Sequence, residues 1–316
     1  DAFGSYTRSQ NSQNISNGIL PLNTSTFVAG ASLFWELDFW GKFRRNIESA
    51  DASLDASVEN YDAVLISLLA ETAAAYVDLR TAQEQLRYAK SNVEIQQGSR
   101  EIAVAEYEAG AVTKLDVTQA DTLLANTQQL IPVYENQVRT ANNSLCVLLG
   151  IPVRDLTQEL GAGPIPTPPA DVVVGVPANL LRRRPDVRAA ERQVAAQSAA
   201  IGVAAADLLP HFSIAGNISL QADKFKHLFD GDSLAGTISP GFTWDILNYG
   251  RLINNVRLQD AAFQELAVNY QQTVLQANAE AENAINAFLT TQERLQRVNE
   301  AVAASQESVD ISLTQY

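Results

Sequence analysis

His211, His227 and Cys146 are the only histidines and the only cysteine in the 316-residue chain, so nucleophilic or metal chemistry would have to be built around them. No serine or cysteine stands in a pattern with a histidine and a carboxylate. A lone cysteine excludes an intrachain disulfide and any cysteine-based zinc site. Cys146 sits on an apolar helical face and reads as core filler. Asp230-Gly231-Asp232 could pass for a metal-binding turn but reads as a solvated loop between two strands. Gly161-Ala162-Gly163-Pro164 lies in a proline-rich stretch and opens no helix, so it is no phosphate cradle. Arg182-Arg183-Arg184 could hold a phosphate, yet 36 Asp+Glu against 22 Lys+Arg leave ample carboxylates to pair with them. The net charge of −14 also argues against nucleic acid as a partner, because counterion release requires clustered Lys and Arg. No catalytic residue, no metal and no cofactor is expected, and the chain is not expected to be an enzyme.

The larger pattern is an internal repeat. A gap-free shift of 209 residues pairs Trp35 with Trp244, Gly41 with Gly250, Tyr61 with Tyr270, Ala70 with Ala279 and Leu86 with Leu295. The same shift pairs Phe3 with Phe212 and Tyr107 with Tyr316. A single register held over about a hundred residues marks duplication of one structural unit.

Each copy begins with strand-like sequence. Phe27, Ala29, Ala31, Leu33, Trp35, Leu37 and Phe39 alternate with small or polar residues, Val28 and Phe34 excepted. Ile238, Pro240, Phe242, Trp244 and Ile246 do the same, as do Phe212, Ile214, Ile218 and Leu220. Period-two alternation of this length means strands with one apolar face, long enough to span a bilayer when tilted. In that reading Phe27, Leu33, Trp35, Leu37, Phe242 and Trp244 face the membrane, while Thr26, Ser32, Glu36 and Asp38 face a lumen or its mouth. A soluble β-sandwich is the alternative. No stretch approaches eighteen consecutive apolar residues, so no transmembrane helix is expected.

Behind each strand pair lies a long helix. From Val58 to Gln96 and from Ala267 to Ser305, ten of twelve positions at steps of three and four are apolar. Such a register predicts a coiled coil, about 100 Å long between Gly41 and Tyr107. Gly110 suits the position just past a helix, and Thr113 with Asp116 predicts a capping box. The tip of this hairpin carries Ala111, Val112 and Leu115. A return helix follows with a kink at Pro132 and ends at Leu148-Leu149-Gly150. Residues 152–177 hold six of the eleven prolines, and Pro185-Asp186 marks a helix start.

Trp35-Glu36-Leu37-Asp38-Phe39-Trp40-Gly41-Lys42, Leu148-Leu149-Gly150, Leu181-Arg182-Arg183-Arg184-Pro185-Asp186 and Leu208-Leu209-Pro210-His211-Phe212 together resemble the TolC/OprM family of outer-membrane efflux channels. The resemblance covers essentially the whole chain. It implies a mainly α fold with a β-barrel portion. Long coiled-coil helices would form a periplasmic α-barrel, and four strands per protomer would enter a shared 12-stranded outer-membrane barrel. The residue division is then 1–40, first strand pair; 41–149, long helical hairpin; 150–184, proline-rich equatorial connection; 185–209, helix; 210–248, second strand pair; 249–316, second long helix of a truncated hairpin.

The implied function is a trimeric exit duct of a tripartite efflux pump, exporting drugs, toxic compounds or metal ions. Its implied partners are two further copies, a periplasmic adaptor (membrane fusion) protein, an inner-membrane pump and outer-membrane lipid. Tyr107, Gly110, Ala111, Val112, Thr113, Leu115 and Asp116 would form the adaptor-docking or gating tip. Arg183, Arg184, Pro185 and Asp186 would be a structural motif. A type I protein-secretion duct and a non-channel periplasmic coiled-coil scaffold are the rival readings. The family's N-terminal helix and lipid-attachment region have no counterpart in this sequence. With no methionine, it is expected to be an internal portion of a longer protein, with a return helix following Tyr316.

Overall fold

The computed structural model describes residues 1–10, 12, 23–161, 163–168 and 182–315. The expectations for Leu181, for Tyr316 and for parts of the proline-rich segment lie outside them. In chain order the elements are β1 (Ala2–Gln10), β2 (Asn23–Leu37), α1 (Lys42–Glu108), α2 (Lys114–Gln128), α3 (Leu130–Leu148), α4 (Thr157–Leu160), α5 (Pro185–Ala206), β3 (His211–Ala222), β4 (Leu234–Thr243) and α6 (Tyr249–Gln315). Both α1 and α6 are 67 residues long, as expected for segments free of proline and nearly free of glycine. No helix among the described residues is long and apolar enough to cross a membrane.

Two compact units result, Asp1–Glu59 with Ala178–Tyr316, and Asn60–Pro177. In the first unit the strands form one antiparallel sheet in the order β1-β2-β3-β4. One part of the repeat pattern fails there. Phe3 lies opposite Gly30, whereas Phe212 lies opposite Phe242, the repeat partner of Leu33. The two hairpins therefore differ in register by three residues, an odd number, which puts Phe3 and Phe212 on opposite faces of the sheet. The 209 shift holds for β2 against β4 and for the helices, but not for β1.

The same unit holds a layer of three helices, with α5 in the middle. Lys42 Nζ of α1 meets Asp207 (2.7 Å) just past the end of α5, and Arg188 of α5 meets Glu59 of α1 (2.5 Å). On the other side Gln197 donates to Gln259 (2.7 Å) and Arg184 pairs with Glu280 (2.6 Å), both on α6. Close approach needs small side chains: Ala189, Ala196, Ala199 and Ala204 are buried, and a Cβ at Gly202 would lie 3.1 Å from Arg45.

In the second unit α1 packs against α3 and the segment before α4 through Leu79, Leu145, Cys146 and Leu156, with Tyr76 and Val138 beside them. It meets α2 through Arg100–Asp121 (2.5 Å) and Thr127–Gln96 (2.9 Å). The return path is broken, but at Gln129 rather than at Pro132. Pro132 lacks the N–H that would bond Gln128 C=O, and its ring displaces that carbonyl, so the disturbance falls one turn before the proline. α3 ends in a Schellman arrangement, with Ile151 N–H on Cys146 O, Gly150 N–H on Val147 O and Gly150 at φ 67°.

Candidate functional site

The sheet has two chemically distinct faces. Reading across it, one face carries the rows Tyr6–Phe27–Ala222, Gly4–Ala29–Leu220–Leu234, Ala2–Ala31–Ile218–Gly236, Leu33–Gly216–Ile238, Trp35–Ile214–Pro240 and Leu37–Phe212–Phe242. None of these residues is charged; beyond Tyr6 the same face ends in Arg8 opposite Ser25. The opposite face carries Thr7–Thr26, Ser5–Val28–Gln221, Phe3–Gly30–Ser219–Ala235, Ser32–Asn217–Thr237, Phe34–Ala215–Ser239 and Glu36–Ser213–Gly241. From Phe27 to Leu37 there are ten residue steps. At about 3.3 Å each and a tilt of about 40° they rise about 25 Å, the height of the apolar band of a membrane barrel.

Aromatic clusters close both ends of this band. At one end Tyr6 meets Phe27 at a tilt (4.6 Å), and Phe27 meets Phe225 (5.7 Å) and Phe225 meets Phe229 (6.2 Å) edge to face. At the other end Phe39 meets Trp40 and Phe212, and Phe212 meets Phe242. Trp40 and Trp244 donate their indole N–H groups to Pro210 O (2.9 Å) and Leu208 O (3.0 Å), fixing their rings where strands become helices. Such amphipathic rings belong at an interface between apolar and wet surroundings. Phe225 and Phe229 escape a strand-pattern reading because they lie in a connection, and the rings that give them meaning come from other strands.

Phe27, Leu33, Trp35, Leu37 and Phe242 share the apolar face, and Leu33 is 66% exposed. Trp244 stands one residue beyond β4, and Ile246 belongs to a short 3-10 turn, Ile246–Asn248. Thr26, Ser32 and Glu36 share the other face. Asp38 does not continue the polar face. Lying beyond β2, it turns back to accept from the N–H groups of Phe43 (2.9 Å) and Arg44 (3.1 Å) at the start of α1. Partial burial pushes its carboxyl upward, but these bonds and the Arg44 guanidinium outweigh that and hold it below the ordinary value. Gly41, at φ 80°, supplies the turn between strand and helix.

The hairpin tip belongs to the second unit. Ala111 N–H bonds Glu106 O and Gly110 N–H bonds Tyr107 O, with Gly110 at φ 75°, so α1 ends in a Schellman turn. Asp116 then accepts from the Thr113 hydroxyl (2.7 Å) and from the Thr113 N–H (2.8 Å). Those two bonds lower its carboxyl below the ordinary value. Tyr107 and Leu115 are exposed, Ala111 is exposed and Val112 half-buried. The geometry is a hydrogen-bonded turn that presents apolar side chains beside a carboxylate held by Thr113.

Arg184 bonds Asp186 through two nitrogens (3.1 and 2.8 Å) and also Glu280. Hydrogen bonding to Asp186, against some desolvation, raises the guanidinium further above its ordinary value; the same pair lowers Asp186. Pro185 occupies the first helical position of α5. Carboxylates thus occupy this arginine, as the acidic composition implied. Arg183 has no ion pair among the described residues. Among the described residues no cluster of His, Cys, Asp and Glu could hold a metal ion.

Arg80 gave no signal in the sequence. It is 2% exposed and donates to Tyr76 Oη (3.0 Å), Gln83 (3.0 Å), Gly161 O (2.8 Å) and Leu160 O (2.9 Å). It ties α1 to the end of α4.

The family model described as outer membrane efflux protein matches residues 1–151 and 176–316. Nodulation protein T of Rhizobium leguminosarum bv. trifolii is 32% identical over 99% of this chain and 67% of its own length. The pyoverdine export outer membrane protein OpmQ of Pseudomonas putida is 34% identical over 84% of this chain and 56% of its own. The chain therefore spans between about half and two thirds of these relatives. Among solved structures, the outer-membrane channel OprN superposes with TM-score 0.86 at 33% identity, covering 93% of this chain and 66% of that one. CusC superposes with TM-score 0.81 at 25% identity, covering 97% and 70%.

Proposed function

The chain belongs to the outer membrane efflux protein family, and from that premise we propose that its full-length protein is the exit duct of a tripartite efflux pump. The observation that carries the reading is the two-faced sheet with aromatic clusters at both ends of a band about 25 Å high. Four strands cannot close a barrel, since the smallest membrane barrels have about eight. Three copies give twelve strands, with β4 of one copy joining β1 of the next. The apolar face then meets outer-membrane lipid and the polar face lines a lumen. The helices extend into the periplasm and form the wall of the duct below. The Tyr107–Asp116 turn is the docking and gating tip for a periplasmic adaptor, which links the duct to an inner-membrane pump.

Small molecules are the favoured cargo. Relatives are named for pyoverdine export and for toluene efflux, and most side chains on the sheet's polar face are short and uncharged. The test is fractionation and sizing of the full-length protein, followed by conductance in planar bilayers. A detergent-dependent trimer in the outer-membrane fraction that conducts ions supports the duct. A trimer soluble without detergent supports the scaffold reading instead. Co-purification with a polypeptide-secreting pump points to the secretion duct.

A further inference from the structure

On the polar face of the sheet two aromatic side chains, Phe3 and Phe34, break the chemistry of their neighbours, and Phe34 is the more exposed. Phe34 is 70% exposed among serines, threonines and asparagine, and it takes part in none of the described ring pairs. The fold does not demand an aromatic there, because the repeat partner of Phe34 is Thr243. The two residues beside Phe34 in the same row, Ala215 and Ser239, are small, so the ring stands over a shallow concavity of about 580 Å³. Hydroxyls of Ser32, Thr237 and Ser239 line it, Thr237 donating to Asn217 Oδ1 (2.7 Å), and Asp1 closes one edge.

We propose that this concavity is a transient binding dish for planar aromatic cations, with Phe34 as the stacking surface. An aromatic ring lies against the phenyl face, and the attached ammonium is met by the hydroxyl oxygens and the Asp1 carboxylate. Among the described residues of β1 to β4, no Lys or Arg lies on the polar face to oppose a cation; Arg8 lies on the other face, and His211, at the end of the polar face, is paired with Glu36 (3.2 Å). Glu36, two residues along the same face from Phe34, is engaged by His211 Nδ1 (3.2 Å), which leaves Asp1 as the carboxylate that lines the concavity. The size falls within that of small-molecule sites, but the dish is open. An exposed aromatic contact holds a solute only weakly, which is what a duct requires of a wall that must let go. The proposal rests on the reading that the polar face lines a lumen and adds a solute class to it.

The experiment uses the full-length protein in nanodiscs and three probes: 2-phenylethylammonium, its saturated analogue 2-cyclohexylethylammonium, and phenylacetate. Saturation-transfer NMR reads equilibrium binding without needing a pore. The aromatic cation should bind best, and Phe34→Ser should weaken it by about three- to tenfold. Asp1→Asn should weaken the aromatic cation while leaving phenylacetate no weaker. Equal binding of 2-phenylethylammonium to the parent and Phe34→Ser proteins overturns the dish, as does equal binding of the saturated and aromatic cations. Current block in planar bilayers provides the separate arm. Conduction without a Phe34-dependent block leaves the duct standing and removes the dish from its path. Phe34-dependent binding without conduction keeps the dish and removes the duct.

Discussion

Arg80 has only neutral groups among its described partners, namely a phenol, an amide and two backbone carbonyls. A buried guanidinium fits such a cage because its planar fork addresses several acceptors at once. Arg80→Lys keeps the charge but cannot reach all four acceptors, and Arg80→Met abandons them. Arg80→Met should cost about 2–3 kcal/mol, read by denaturant unfolding, and should speed proteolysis of the segment after Leu160. Unchanged cleavage there would show that the arginine does not hold that segment. Asp116 makes a pH prediction. Its carboxyl is lowered from 3.8 by Thr113, so the capping contribution is full above pH 3.8 and is lost as pH falls through the lowered value. Amide exchange at Ala111–Val117 should rise on acidification over that range, and Asp116→Asn should abolish the dependence. The Thr113–Asp116 cap was legible because a capping box is a local spacing. Arg80 was not, because an arginine on a long amphipathic helix looks the same in sequence whether it meets water or a carbonyl eighty residues away.

At the scale of elements, the approach of β2 to β3 depends on Gly30. A Cβ there would lie 2.5 Å from Ile218 O and 2.7 Å from Ser219 Cβ, and both contacts are too close to relax without moving a strand. Gly30→Ala should therefore lower the yield of folded full-length protein in the outer membrane, whereas Gly241→Ala, with open space around it, should not. Similar yields for the two would mean that the sheet does not hold this register. Leu33→Arg places a charge on the apolar face at a cost of about 2–4 kcal/mol if that face meets the membrane midplane. Normal insertion of that variant would remove lipid from the account. Alternation in β2 and β4 revealed their faces because the side-chain period is two, and absence of proline with scarcity of glycine revealed α1 and α6. The Phe3 pairing failed for the same reason that alternation succeeds. An odd register change between hairpins reverses the faces, and a repeat in sequence says nothing about hairpin register.

For the whole molecule, the question is whether the free edge of β1 is used. Asp1 and Ser32 exchange both backbone bonds, Ser32 N–H to Asp1 O (2.7 Å) and Asp1 N–H to Ser32 O (2.8 Å). In an antiparallel pair such residues alternate with residues whose N–H and C=O point away. Phe3 and Ser5 thus bond inward to Gly30 and Val28, while Ala2, Gly4 and Tyr6 direct their backbone groups to the open edge. Proline tests the two sets separately, because it removes an N–H and is tolerated on an edge strand. In a free-edged sandwich Gly4→Pro deletes nothing. In a shared barrel it deletes one ladder bond at every junction between copies, about 1 kcal/mol each before any further loss of pairing. Ser5→Pro deletes a bond within the copy in either case. The expected result is that Gly4→Pro lowers the temperature at which the full-length trimer dissociates in detergent, while the near-ultraviolet circular dichroism of the dissociated chain matches that of the parent. Ser5→Pro should perturb both. A Gly4→Pro trimer as heat-stable as the parent would mean that β1 stays unpaired, and a twelve-stranded barrel could not then be the form the protein takes.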